Sequence, residues 1–139
     1  MFKFGTGSIR NLKDVTPIMQ ELCERALRES DVDFSIICGF RNKEEQMELY
    51  SEGLSELDGT INISAHQLGY AVDILPYVID NNGSVLDCWN YNNPKVRVAW
   101  LEVYRAFLRE ARLMSIDLEL GLTYNINEGY DYPHIEIKE

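Results

Sequence analysis

The chain has 139 residues, of which 45% are apolar, and a formal net charge of −10. This length and composition suit one globular domain that buries about two-thirds of the surface of its unfolded chain. The negative charge argues against a nucleic-acid partner, whose phosphates it would repel. No apolar run approaches the roughly 18 residues that a membrane span needs.

The amino-terminal segment and the cysteines bear on the compartment. The opening segment, MFKFGTGSIRNLKD, lacks the apolar core of a secretory signal, so we expect synthesis in the cytoplasm and any exit by other means. The three cysteines, Cys23, Cys38 and Cys88, are an odd number and form no CxxC pair. We therefore expect them to be reduced and structural.

The first third of the chain predicts a helix and a buried strand. Apolar side chains recur at helical spacing over residues 12–29. Pro17 fits the first turn of this helix if Thr16 is the N-cap; otherwise the proline kinks the helix. Residues 33–39, DFSIICG, predict a short buried strand.

The middle of the chain predicts a capped helix and a second strand. Asn42 and Glu45 have the spacing of a capping pair for a helix that ends near Gly53. A polar loop leads to the segment SAHQLGY and then to a strand over residues 71–78, AVDILPYV. The sequence NNGS at 81–84 predicts a turn or the start of a long loop.

The last part of the chain predicts a long helix and two closing strands. Pro94 opens the helix, and its apolar side chains are expected to face one way: Trp100, Tyr104, Phe107, Leu108 and Ala111. The segments LELGL at 118–122 and PHIEIK at 133–138 predict strands around the loop TYNINEGYDY. This order of elements indicates a small α+β domain.

The segment SAHQLGYAVD carries His66, one of two histidines, and Asp73, an acid in an apolar strand. Two ligands of one zinc ion lie a few ångströms apart, whereas seven extended residues span about 23 Å. Gly69 is placed to turn the chain back between them, and a cation would make a carboxylate tolerable on an apolar strand. The alternative is that Asp73 caps a turn and His66 is an ordinary polar residue, because this spacing alone is a weak signal.

The second histidine, His134, would complete a site of two imidazoles and one carboxylate, the donor set of a catalytic zinc ion with water at its fourth position. Asp131 is the nearest acid upstream, and Pro133 between them favours a turn that could aim both side chains at one point. Glu136 lies by alternation on the same strand face as His134, either as its partner or as a solvated residue. The HExxH motif of helix-based zinc peptidases is absent.

Two motifs carry a resemblance to a known family. SAHQLGYAVD matches the SxHxxGxAxD signature of the M15 zinc peptidases, and DYPH matches their (D/E)xxH motif. The resemblance is closest to bacteriophage L-alanyl-D-glutamate endopeptidase endolysins and extends to FKFGTGS, DFSIICGFR and PHIEI. It implies an M15/hedgehog-type zinc peptidase fold, a mainly antiparallel sheet with flanking helices. It also implies that residues 1–139 form a single peptidase domain with no separate cell-wall-binding module.

The resemblance implies a catalytic zinc site with His66, Asp73 and His134 as its metal ligands. Asp131 then occupies the position of the catalytic base, which would act on a water molecule that the zinc activates. The base is Asp in the endolysin-like members and Glu in many D,D-peptidases.

The resemblance also implies roles for three further residues. Arg41 matches the arginine that polarises the scissile carbonyl and stabilises the oxyanion, and a fixed cation there helps the transition state most; the alternative for Arg41 is a surface salt bridge. Ser64 matches a position that contacts substrate. Gln46 is a candidate for supporting the cleft.

The implied function is a peptidoglycan peptidase that cuts the stem peptide, with the L-Ala–D-Glu bond favoured. A D,D-carboxypeptidase is the nearer alternative, but it must seat a terminal carboxylate, and neither motif has a second basic residue beside it. A non-catalytic, zinc-stabilised virion or binding domain is the alternative from another class, although a structural zinc would need neither Asp131 nor Arg41.

The resemblance further implies peptidoglycan as the partner, a monomer, and no membrane insertion. The protein would be made in the host cytoplasm and reach the periplasm and cell wall at lysis by a separate release mechanism. Whether acidic residues in 117–131 bind a regulatory calcium ion stays open.

Overall fold

The computed structural model describes residues 1–121 and 132–138. Within these ranges the chain forms four α-helices: α1 (Thr6–Leu12), α2 (Pro17–Glu29), α3 (Lys43–Ser51) and α4 (Pro94–Leu113). One turn of 3₁₀ helix, Ala65–Leu68, follows the loop after α3.

The described strands form one antiparallel sheet in the order β1-β2-β4-β3, with β1 (Asp33–Cys38), β2 (Ala71–Tyr77), β3 (Leu118–Leu120) and β4 (His134–Ile137). Its register places Asp73 of β2 directly opposite His134 of β4. A bulge in β1 places Cys38 opposite the same aspartate. The α+β prediction is confirmed, and strand pairing brings two predicted metal ligands side by side.

The two faces of the sheet have different partners. Val72 and Ile74 of β2 are fully buried and pack in the hydrophobic core, which includes residues of α2 and α4. Because side chains alternate along a strand, Asp73 between them faces the other way. In β4, Ile135 belongs to the core, whereas His134 shares a face with Asp73. Helices α2 and α4 therefore support the sheet from behind, and Asp73 and His134 lie on its other face.

The amino-terminal helices differ in part from the prediction. Helix α2 begins at Pro17, and the side chain of Thr16 accepts a hydrogen bond from the backbone N–H of Met19, so Thr16 is the N-cap. The short helix α1 before it was not predicted, because it buries only Ser8 and Leu12 and so shows no apolar stripe. Helix α1 packs against β1, the strand that ends at Cys38.

The predicted caps and the apolar face of the long helix are confirmed except at one residue. Asn42 and Glu45 form the capping box of α3. In α4, the side chains of Trp100 and Phe107 are buried, but Leu108 is 47% exposed, so its assignment to the buried face was wrong. Successive helical residues point about 100° apart, and Phe107 already fills the inward position. None of the helices in the described ranges is long and apolar enough to cross a membrane.

Candidate metal centre and catalytic cleft

The 3₁₀ turn that carries His66 is fixed at both ends. Ser64 caps its start, since its hydroxyl oxygen accepts a hydrogen bond from the backbone N–H of His66 (3.2 Å). Gly69 ends it with a φ of +74°, in the left-handed region that favours glycine. The carbonyl of Gly69 accepts the backbone N–H of Thr16 (3.0 Å), which ties the turn to the start of α2. The predicted reversal at Gly69 is confirmed.

The imidazole of His66 is oriented by a backbone carbonyl. Its Nδ1 lies 2.9 Å from the oxygen of Gly39, which can only accept, so we assign the proton to Nδ1. That leaves the lone pair on Nε2, which lies 3.4 Å from Oδ1 of Asp73. Position 39 must be glycine, because a Cβ there would lie 1.7 Å from the backbone oxygen of Asn11.

The imidazole of His134 is oriented by a carboxylate instead. Its Nε2 lies 2.9 Å from Oε1 of Glu136, so we assign the proton to Nε2. The lone pair is then on Nδ1, which lies 3.5 Å from the same Oδ1 of Asp73. Of the two alternatives for Glu136, the structure therefore favours a partner of His134 over a solvated residue.

Oδ1 of Asp73 is the point on which both lone pairs converge. It is buried and has no hydrogen-bond partner among the residues that the structure describes. Two ligands about 2 Å from a tetrahedral zinc ion are about 3.3 Å apart, close to the 3.4 and 3.5 Å that separate this oxygen from His66 and His134. When both imidazoles are neutral, this carboxylate oxygen faces two nitrogen lone pairs, an arrangement that fits a divalent cation.

In the absence of a metal ion, His66 and His134 are protonated and neutralise the carboxylate of Asp73. Burial raises the pKa of Asp73, but His134 and His66 outweigh this and hold it well below its usual value. Burial lowers the pKa of His66, but Asp73 and Cys38 raise it to about 10. The pKa of His134 is likewise lowered by burial and raised by Asp73 and Glu136 to about 9. A metal ion must therefore displace protons to bind.

Cys38 is the residue at this centre that the sequence did not single out. Cys38, His66 and Asp73 form a possible metal-binding group, with one ligand atom from each within 4.8 Å of the others. The thiol lies 3.9 Å from Nδ1 of His66, on the side of the ring that faces Gly39. Cys23 and Cys88 are buried, whereas Cys38 is only partly buried and lies beside His66.

Arg41 follows β1 and is held by Gln46. Its Nη1 donates to Oε1 of Gln46 (2.6 Å), and its Nη2 lies 3.5 Å from the sulfur of Cys38. The Gln46 side chain is fully buried, and its Nε2 donates to Ser55 Oγ and to the carbonyl of Leu57, both at 2.7 Å. Gln46 thus connects the guanidinium of Arg41 to the loop after α3.

A cleft of about 600 Å³ opens over these side chains. The described residues that line it include Arg41, Ser64, His66, Asp73, His134 and Glu136. Arg41 is the sole arginine, and there is no lysine, in the described part of this lining. The predicted base, Asp131, lies outside the described residues, as does most of the 117–131 segment considered for calcium.

Comparisons with known proteins agree with this geometry. The model of the phage L-alanyl-D-glutamate peptidase family matches residues 1–138. The chain belongs to this family. It is 33% identical over 137 residues to the L-alanyl-D-glutamate peptidase of Escherichia phage T5, covering 99% of this chain and 90% of that protein.

A solved structure extends the likeness to the fold. The Serratia marcescens L-Ala D-Glu endopeptidase ChiX matches with a TM-score of 0.75 and 27% identity, over 98% of this chain and 90% of that one. The predicted family, its fold and the assignment to the peptidases are confirmed.

Proposed function

We propose that this chain is a zinc endopeptidase that hydrolyses the L-Ala–D-Glu bond in the stem peptide of peptidoglycan. The observation that carries the proposal is the buried Oδ1 of Asp73, which has no hydrogen-bond partner among the described residues and faces Nε2 of His66 and Nδ1 of His134. The family match over residues 1–138 supports the proposed reaction, since the related phage and Serratia proteins bear the names of such peptidases.

We assign the metal to His66, Asp73 and His134 rather than to a set that includes Cys38. The thiol faces the Nδ1 side of His66, where the proton is held by Gly39, and not the lone pair on Nε2. Two imidazoles and one carboxylate are the ligands typical of a catalytic zinc with an open position. When bound, the zinc would lower the pKa of a water molecule and polarise the scissile carbonyl.

The protein side chains would do the rest of the chemistry. Asp131, from its place in the DxxH motif, would take a proton from the attacking water and pass it to the leaving amine. Arg41 would donate to the carbonyl oxygen as it becomes negative, and its fixed position avoids reorganisation during the reaction. Gln46 would keep the guanidinium aimed at the cleft through the 2.6 Å hydrogen bond. Ser64 would contact substrate beside the metal.

The charge of the cleft favours an internal bond over a carboxyl-terminal one. A carboxypeptidase must neutralise a terminal carboxylate, usually with a dedicated cation. Arg41 is already assigned to the oxyanion, His66 and His134 to the metal, and the described lining offers no lysine and no second arginine. Lys138 points to Glu119, with its Nζ 3.5 Å from that carboxylate. A D,D-carboxypeptidase is therefore the weaker alternative.

We infer that the protein acts on peptidoglycan as a monomer. The likeness to a phage peptidase supports synthesis in the host cytoplasm and arrival at the periplasm and wall through a separate release mechanism at lysis.

Digestion of purified Gram-negative sacculi, followed by mass spectrometry, tests the proposed bond. The expected products are peptides with a new amino-terminal glutamate and glycan strands that retain only L-alanine. The Asp131→Asn variant is the control for contaminating hydrolases. Release of free D-alanine with the Ala–Glu bond intact would instead identify a D,D-carboxypeptidase.

A further inference from the structure

Helix α4 is positively charged within an acidic protein. It carries five of the 13 lysines and arginines but two of the 23 acidic residues. The helix therefore has a formal charge of +3, and the rest of the chain has −13. Such a separation of charge orients a protein near a charged surface.

The exposed face of α4 combines these charges with apolar side chains. Leu101, Leu108 and Leu113 are 59%, 47% and 62% exposed. They line a groove of about 600 Å³ together with three exposed arginines. We call this surface the basic groove, formed by Leu101, Arg105, Leu108, Arg109, Arg112 and Leu113. Leu101, Arg105, Leu108 and Arg112 recur every three or four residues, as do Arg105, Arg109 and Leu113, so the six lie on one side of the helix.

Two of the three arginines are not neutralised by neighbours. Arg105 pairs with Glu102 at 2.8 Å and lies 3.7 Å from Asp31. The side chains of Arg109 and Arg112 make no ion pair or hydrogen bond within residues 1–121 and 132–138.

Two acids near those arginines, Glu110 and Glu119, have other partners. Glu110 turns inward and binds Arg25 at 3.0 Å. Glu119, on the neighbouring strand, faces Lys138. Within the part of the chain that the structure describes, Arg109 and Arg112 can therefore meet an external anion.

We propose that the basic groove binds the surface of an anionic phospholipid bilayer. Arginines attract the phosphate headgroups, and exposed leucines between them can enter the boundary with the acyl chains. An anionic polysaccharide would use the arginines but leave the three leucines in water. The combination of both side-chain types therefore favours lipid as the partner.

The position of α4 leaves the catalytic cleft accessible when the basic groove is bound to a membrane. The helix packs on the face of the sheet that carries Val72 and Ile74, whereas Asp73 and the cleft lie on the opposite face. A bilayer bound at the basic groove would leave the cleft uncovered and directed away from the lipid. The same bilayer would repel the remainder of the chain, which reinforces this orientation.

Flotation of the full chain with lipid vesicles tests the proposal. The vesicles contain either phosphatidylglycerol with phosphatidylethanolamine, or phosphatidylcholine alone. The groove variant is Arg109→Gln/Arg112→Gln, and the matched control is Arg10→Gln/Arg28→Gln, which removes the same charge from exposed positions elsewhere. Thermal melting and hydrolysis of soluble stem-peptide fragments check that both variants fold and act as the parent does.

The parent and the control should bind the anionic vesicles, less strongly as salt rises, and should not bind phosphatidylcholine. The groove variant should partition about 25-fold less, at about five-fold per arginine. Absence of binding to anionic vesicles, equal binding to both lipids, or equal loss in both variants would overturn the proposal. So would groove-dependent binding to purified sacculi with none to vesicles, because the wall polymer would then be the partner.

Discussion

The two histidines of the metal centre are held in different ways. His66 is fixed by the backbone: the carbonyl of Gly39 accepts from its ring, and a capped 3₁₀ turn positions its main chain. His134 is fixed by a side chain, since Glu136, two residues along β4, accepts from its ring. The partner of His66 is therefore built into the fold, whereas the partner of His134 carries a charge that a single substitution can remove. The two halves of the centre, His66 with Gly39 and His134 with Glu136, should therefore respond differently to mutation of the partner residue.

The largest expected effect comes from removing one metal ligand. The loss of zinc should be the same whichever half of the centre the ligand belongs to. His66→Ala, Asp73→Ala and His134→Ala should each lower the zinc content from about one per chain to near zero and abolish peptidase activity. Elemental analysis of the purified variants, alongside the digestion assay, measures this. Cys38→Ser is the control and should keep its zinc. Normal activity in a metal-free preparation would refute the zinc mechanism.

The next effect separates chemistry from metal binding. Asp131→Asn keeps the size of the side chain and removes the base, so kcat should fall by about 10²-fold or more with zinc retained. Arg41→Ala should lower kcat by about 10²–10³-fold through the lost oxyanion donor. Steady-state kinetics with parallel zinc analysis checks both variants. Near-normal kcat in either one would remove that residue from the mechanism.

Much of the fold and centre could be predicted because it depends on local patterns. The turn at Gly69, the apolar strand around Asp73 and the Asn42 cap follow from residue chemistry over a few positions. The match to the peptidase motifs added Arg41 and Gln46, which lie 2.6 Å apart in the structure.

What could not be predicted depends on contacts distant in sequence or on unpatterned segments. Cys38 reaches the centre only through a bulge in β1, which no local signal marks. Helix α1 buries too few side chains to leave a periodic trace. Leu108 fits the helical stripe, but its neighbour Phe107 takes the inward position.

Acid should weaken zinc binding through both halves of the centre. In the metal-free protein the pKa values of His66 and His134 are raised to about 10 and about 9, so both rings hold protons at pH 7. Each proton competes with the metal, so zinc affinity should rise with pH by up to about 100-fold per unit until it levels off near those values. Chelator competition at pH 6.5, 7.5 and 8.5 measures the slope. Affinity that does not change with pH would contradict these protonation states.

The stability of the metal-free protein should fall as pH rises, whereas its zinc affinity should rise. Because folding raises both pKa values above the ordinary 6.5, the protonated rings stabilise the metal-free protein most below about pH 6.5. That contribution is lost as pH rises through about 9 to 10. In denaturant unfolding between pH 6.5 and 9, stability without zinc should fall as pH rises, whereas stability with saturating zinc should change little, because the rise in zinc affinity offsets the loss.

The smallest effect is the one that distinguishes the two halves. Glu136→Gln keeps an acceptor for the ring of His134 but removes the charge, so zinc affinity should fall about ten-fold, the lower end for outer partners of metal ligands. Glu119→Gln, which alters a neighbouring acid paired with Lys138, is the matched control. Equal affinities in the two variants would mean that Glu136 does not support the metal.

X-ray absorption at the zinc edge of the purified protein tests the central claim, that His66, Asp73 and His134 hold the metal, most directly. The spectrum should show only nitrogen and oxygen neighbours at about 2.0–2.2 Å, with the outer-shell scattering of two imidazoles. A zinc–sulfur distance of about 2.3 Å would place Cys38 in the ligand set and contradict the assignment.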